Sequence, residues 1–150
     1  MLPDTTLSIA NDFDNVIGVK EASGNIEQIM SIIKNKPEDF LVISGDDMIT
    51  LPLIAAGADG VISVVANAFP KEYSEMTRLC LKGQFDKARD LHYLLADIIP
   101  LLFAEGSPPG IKAVLDMMGI CEDFMRLPLV NVSKGHLNKL TAAVEAIKNR

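Results

Sequence analysis

The sequence predicts an α/β protein built on a parallel sheet, and three observations carry that prediction. Short apolar runs, Val16–Val19, Phe40–Ser44 and Val61–Val65, alternate with longer stretches whose apolar residues recur at helical spacing. The runs are nearly continuous instead of alternating, which is the pattern of parallel strands covered on both faces. Each run leads into a helix-length stretch, and a strand–helix–strand connection within one sheet makes its strands parallel and the crossover right-handed.

In chain order, Pro3–Asp12 reads as the end of a helix leading into the first strand, Val16–Val19. Asn25–Asn35 follows with Ile26, Ile29, Met30 and Ile33 at helical spacing. Asn25 is its natural cap, because its side-chain oxygen accepts from free first-turn amides. Pro37 lies just beyond, where it ends a helix. Phe40–Ser44 is the second strand, Ser44-Gly45-Asp46-Asp47 a turn, and Met48–Ala56 the next helix. Gly57 closes that helix, since glycine accepts the left-handed conformation past a C-cap. Val61–Val65 is the third strand, followed by Ala66-Asn67. Pro70 opens the next helix, where its missing amide costs little.

Beyond that point the pattern changes. Gly83 separates two helical stretches, Lys71–Lys82 and Phe85–Phe103. Glu105–Gly110 reads as a loop, Ile111–Met118 as a helix and Gly119–Asn131 as irregular. Lys134–Asn149 is a final helix with Leu137, Leu140, Val144 and Ile147 on one face. The expected organisation is a partial barrel over 1–83 and a C-terminal helical extension over 84–150.

Composition bounds the function. The chain has 150 residues, 49% of them hydrophobic, so a packed core is within reach and disorder is not expected. Trp is absent and aromatics are few, which makes that core aliphatic. A net charge of −6 without a basic stripe argues against nucleic acid. Cys80 and Cys121 have no metal-like spacing and read as reduced thiols. The N-terminus lacks a secretory signature, and no apolar run approaches the roughly 18 residues of a membrane span. The expectation is a soluble cytoplasmic protein without membrane contact, metal or cofactor.

In parallel α/β sheets functional groups collect at the carboxyl ends of the strands. Here those ends are Lys20-Glu21, Ser44-Gly45-Asp46-Asp47 and Ala66-Asn67, and Lys20 alone is a strong nucleophile. An amine attacks a carbonyl only when unprotonated, and burial among apolar groups disfavours the ammonium. Val16, Ile17 and Val19, with Val61–Val65 alongside, are the expected source of that environment. The other role open to Lys20 is to leave the strand for solvent and pair with Glu21 or Asp46. Gly45 either lets a ligand approach the backbone or only makes the turn. Asp46 and Asp47 suit a solvated helix start, acid–base work or a cation. His92 and His136 sit in polar helical settings and read as surface histidines; Lys112 reads as a solvent-facing stem at a helix start.

Gly18-Val19-Lys20-Glu21-Ala22-Ser23-Gly24-Asn25 resembles the Schiff-base strand of the dihydrodipicolinate synthase family, in the N-acetylneuraminate lyase superfamily of class I aldolases. The resemblance continues in order through Ser44-Gly45-Asp46-Asp47, Gly57–Val64 with Ala66-Asn67, Glu105–Lys112, and Arg126-Leu127-Pro128. It implies a (β/α)8 barrel with a C-terminal helical extension, of which this chain holds about three βα units. A complete barrel takes about 250 residues. It also implies a cytoplasmic homo-oligomer that condenses pyruvate with aspartate semialdehyde in lysine and diaminopimelate biosynthesis. Lys20 would form the imine, the Ile62 backbone would help hold the pyruvate carboxylate, and Gly45 would line the same pocket.

The family's first strands supply a threonine pair for the pyruvate carboxylate, a proton-relaying tyrosine and an arginine for the semialdehyde, and none has a counterpart in the matched motifs. The expectation is therefore the C-terminal portion of a synthase, inactive alone and completed by a homo-oligomer or by the missing half. Two rivals stand beside it: another pyruvate-dependent aldolase of the superfamily, acting on N-acetylneuraminate or a 2-keto-3-deoxy sugar acid, and a non-catalytic half-barrel that associates through its sheet edges.

Overall fold

The computed structural model describes residues 1–149. Its elements are α1 (Pro3–Asp12), β1 (Gly18–Glu21), α2 (Ile26–Asn35), β2 (Leu41–Ser44), α3 (Thr50–Ala55), β3 (Gly60–Val61), a 3-10 turn (Val65–Asn67), α4 (Pro70–Leu81), α5 (Phe85–Leu95), α6 (Ile98–Phe103), α7 (Pro109–Met117) and α8 (Lys134–Lys148). The chain divides into two compact units. The first holds Met1–Ser63 with Met76–Ala88, and the second Val64–Glu75 with the chain from Arg89 onward.

In the first unit the strands lie in the order β1-β2-β3, all parallel, as the apolar runs predict. Lys20 pairs with Ile43 and Glu21 with Ser44 across β1 and β2, and Ser44 pairs with Val61 of β3. Asn25 caps α2 by accepting from the Gln28 amide at 3.1 Å, as its position predicts. Gly57 has φ +107, the left-handed conformation that lets the chain leave α3 without the strain a side chain would bring. Ile29, Ile32, Leu53, Ile54, Met76 and Cys80 form the interior of this unit.

Three expectations about the sheet need correction. The first strand is displaced two residues toward the C-terminus, so Lys20 lies inside β1 and not beyond it. The third strand ends at Val61, and Val65–Asn67 coils into a 3-10 turn. Its partner decides this. The Ile62 amide donates to the Ser44 carbonyl at 2.9 Å, and the next backbone group on that side, Asp46, is taken by the Ser44 and Thr50 hydroxyls, so β2 offers no ladder for 63–65. Finally, the described residues cover only one face of the sheet. Val42, Ser44 and Glu21 are 0%, 1% and 5% exposed, whereas Leu41 on the other face is 41% exposed and Lys20 is exposed.

In the second unit α6, α7 and α8 pack against one another around Ile98, Leu102, Val114, Leu140 and Val144. The single helix expected over Phe85–Phe103 is two, α5 and α6. Pro100 explains the break: it has no amide to donate and its ring would strike the carbonyl of Ala96 in a continuous helix. Restarting at Ile98 places Pro100 in a first turn, where amides lack helical partners anyway. Ser133 caps α8, accepting from the His136 amide at 3.2 Å while its own amide and hydroxyl donate to Glu105 at 2.7 and 2.6 Å.

The histidines are not surface groups. His136 is buried, and its Nε2 lies 2.8 Å from Leu101 O; a carbonyl only accepts, so Nε2 carries the proton. His92 is half-buried against the edge of Tyr93, with ring centroids 5.1 Å apart, and burial pushes its pKa below the ordinary histidine value. Cys80 is buried and its thiol pKa is raised by that burial, whereas Cys121 is exposed. No helix among the described residues is long and apolar enough to cross a membrane.

Candidate active site

Parallel pairing brings the carboxyl ends of β1, β2 and β3 to one end of the sheet, and with them Lys20, Gly45 and Ile62. Lys20 and Ile62 both stand on the open face, Ile62 being 55% exposed. The apolar enclosure expected around Lys20 is not built by the described residues: Ile17, an expected wall, is itself exposed. The reason is the uncovered face, which leaves the stem of Lys20 without an apolar layer opposite it.

Gly45 is bound up with Lys20 by space. A Cβ built on Gly45 would stand 2.6 Å from Ala22 Cβ, 3.0 Å from Lys20 Cε and 3.2 Å from Glu21 O. Its missing side chain is therefore the room in which the lysine stem lies, which goes beyond the making of a turn. The Ile62 amide is engaged with Ser44 O, so toward a ligand Ile62 offers its carbonyl and its side chain.

Glu21, one expected ion partner of Lys20, turns to the covered face. Its carboxylate accepts from the Ser23 amide at 2.7 Å and from Gln28 Nε2 at 3.4 Å. It thus holds the turn after the lysine instead of facing it. Asp46 accepts from the Met48 amide at 2.9 Å through Oδ1, which delays the start of α3 to Thr50. Asp47 is buried, contrary to the solvated helix start expected of it. Lys112 is half-buried in the first turn of α7. Among the described residues, no group of three or more His, Cys, Asp or Glu is placed to hold a metal ion.

Sequence reading passed over the hydroxyls of Ser44 and Thr50. Both are buried, and with the Asp46 backbone they fix the turn beside Lys20. Their signal was two small hydroxyl residues six apart, flanking a turn; spacing alone does not tell such a pair from ordinary turn chemistry.

Fold and site together define a class: a parallel α/β protein with a lysine at the carboxyl end of a strand beside a glycine turn. The particular family follows from comparison. Residues 1–147 match the model of the dihydrodipicolinate synthetase family, and the chain belongs to it. The 4-hydroxy-tetrahydrodipicolinate synthase of Phocaeicola vulgatus is 52% identical over 148 residues, covering 99% of this chain and 50% of its own length. That of Parabacteroides distasonis is 58% identical over 130 residues, 87% of this chain and 44% of its own. The crystal structure of the dihydrodipicolinate synthase from Aquifex aeolicus superposes with a TM-score of 0.95 at 40% identity, covering 98% of this chain and 50% of that one. A synthase from Acinetobacter baumannii, solved in complex with pyruvate, superposes at 0.94 with 31% identity, over 98% of this chain and 50% of its own. The chain spans about half the length of the relatives it matches.

Proposed function

We propose that this chain carries the imine-forming portion of a pyruvate-dependent synthase that condenses pyruvate with aspartate semialdehyde in lysine and diaminopimelate biosynthesis. The observation that carries the reading is the placement of Lys20 on the open face, with its Cε against the space left by Gly45. The free amine attacks the pyruvate carbonyl carbon, the carbinolamine takes up a proton and loses water, and a protonated imine results. That cation draws electrons from the neighbouring methyl carbon, which gives up a proton and becomes the nucleophile toward an aldehyde. Gly45 and Ile62 bound the pyruvate subsite. The pyruvate complex of the Acinetobacter relative supports this choice of first substrate.

The reading assigns proton transfer and semialdehyde recognition to the half of the barrel that the relatives possess in addition. General acid–base help contributes about 10²–10⁴-fold, so the chain alone is expected to show little or no turnover. Completion comes from that half or from further copies, in the cytoplasm. The functional division at residue 83, with the barrel segment over 1–83 and the helical extension over 84–150, belongs to this proposal and follows the motifs, not the compact units.

A second reading has its own observation. β1 and β3 are the outer strands, and Leu41 and Ile62 are exposed on the open face, so the chain suits association without catalysis. Borohydride reduction in the presence of pyruvate, followed by peptide mass spectrometry, separates the two. A reduced adduct on Lys20 that disappears in Lys20→Ala supports the synthase reading. An adduct that persists in Lys20→Ala, or a folded chain that forms none even with the complementary half present, overturns it.

A further inference from the structure

The turn beside Lys20 is held by a set of hydrogen bonds that centres on the buried hydroxyls of Ser44 and Thr50. Thr50 is 0% exposed, and its Oγ1 lies 2.8 Å from Asp46 O and 3.1 Å from Ser44 Oγ. Ser44 Oγ lies 2.9 Å from Asp46 O and 3.3 Å from the Asp46 amide. Each hydroxyl has one hydrogen to give. The Asp46 carbonyl has two lone pairs and accepts from both hydroxyls, while Ser44 Oγ accepts from the Asp46 amide. The carbonyl and amide of Asp46 are thereby both tied to side chains. The Gly45 amide is tied to Glu21 O at 2.7 Å, so the backbone between Ser44 and Asp46 has little freedom left. This is the backbone against which the Lys20 stem lies.

We propose that Thr50 is a positioning residue for Lys20: its buried hydroxyl fixes the Asp46 carbonyl, and through it the Gly45 backbone that limits where the lysine amine can swing. The proposal rests on the imine role assigned to Lys20 and deepens it. A lysine has many rotamers, and reaction with a bound carbonyl requires one of them. Valine at 50 keeps the volume of threonine but removes the donor to Asp46 O. Serine keeps the donor and loses only a methyl group.

The test measures reductive alkylation of Lys20 in the full chain, with formaldehyde and cyanoborohydride in one arm and pyruvate and cyanoborohydride in the other. Peptide mass spectrometry reads Lys20 relative to Lys34 of the same molecule. Thr50→Val is expected to slow Lys20 in the pyruvate arm by roughly three- to tenfold, while the formaldehyde arm, whose carbonyl is not held at the site, and Lys34 stay unchanged, and Thr50→Ser is expected to restore the rate. Equal Lys20 rates with pyruvate in wild type and Thr50→Val, or no restoration by serine, overturn the proposal and leave the imine role intact. A wild type that forms no pyruvate adduct on Lys20 even with the complementary half present, while Lys20 still reacts with formaldehyde, overturns the imine role and the positioning with it. Should Thr50→Val fail to fold by circular dichroism, Thr50→Ala decides: it also removes the donor to Asp46 O, and an unchanged Lys20 rate with pyruvate overturns the proposal.

Discussion

The two faces of the small sheet are made of the same kind of sequence and meet opposite fates. On one face Val42, Ser44 and Glu21 are shut away with Ile29, Ile32 and Leu53. On the other, Leu41, Lys20 and Ile62 are exposed to different degrees. The covered face accounts for the stability of the first unit, because apolar area removed from water is the main favourable contribution to folding. The open face carries the lysine. A lysine in the proposed imine role needs a face that substrate can reach, and its backbone needs a face that is firmly packed. One β-strand supplies both, because successive residues point to opposite sides.

The largest effect should come from cutting into the covered face. Leu53→Ala is expected to cost about 2–5 kcal/mol in urea unfolding, whereas Leu41→Ala on the open face should stay within about 0.5 kcal/mol. Equal losses would erase the distinction between the faces.

Next comes Asp59. Its Oδ2 accepts from the buried Val42 amide at 2.8 Å, and its own amide donates to Val42 O. Asp59→Ala strands that amide and should cost about 1–3 kcal/mol. Asp59→Asn, which keeps an acceptor, should recover most of the loss, and failure to do so would show that the bond does not hold the start of β2.

Removing the cap of α2 is a smaller change. Asn25→Ala should cost about 1 kcal/mol and leave Lys20 labelling unaltered, since the cap serves the covered side. A change in labelling would tie the two faces more closely than the hydrogen bonds do.

The smallest effects are expected from acid, in the second unit. Burial holds His92 below the ordinary histidine range, so the unfolded chain binds that proton more readily. Its contribution is complete above about pH 6.5 and declines as the pH falls below that. The side-chain and backbone hydrogen bonds from Ser133, then the charges of His136 and Lys139, hold Glu105 below the usual carboxylate range. That contribution is complete above about pH 4.3 and is lost as the pH falls through the lowered value. Urea midpoints measured against pH should show the decline below neutrality. Ser133→Ala removes the hydroxyl donor and keeps the backbone amide, so it should reduce the decline at acid pH that belongs to Glu105, and an unchanged acid limb would contradict the assignment.

Much of the fold was legible in particular residues. Asn25 and Gly57 marked their helix ends because each acts on the backbone next to it. Lys20 at a strand end, and the motifs around Gly45 and Ile62, pointed to one family, whose model matches residues 1–147. The extent of β3 was not legible. Val61–Val65 has a strand's composition, but a strand also needs a partner, and past Ser44 the Asp46 backbone is taken by the Ser44 and Thr50 hydroxyls. The break before Ile98 was readable in Pro100 and was hidden by the helical periodicity on either side of it.

The sequence by itself determined the alternation of strands and helices, their capping and the chemistry open to Lys20, because these depend on neighbours along the chain. Only the tertiary structure decided which face of the sheet is covered, that His136 is buried on Leu101 O, that Glu21 turns to Ser23 and Gln28, and that Gly45 makes room for the lysine. Each of these depends on groups distant in sequence or on which side of a strand is packed, and no local pattern encodes either.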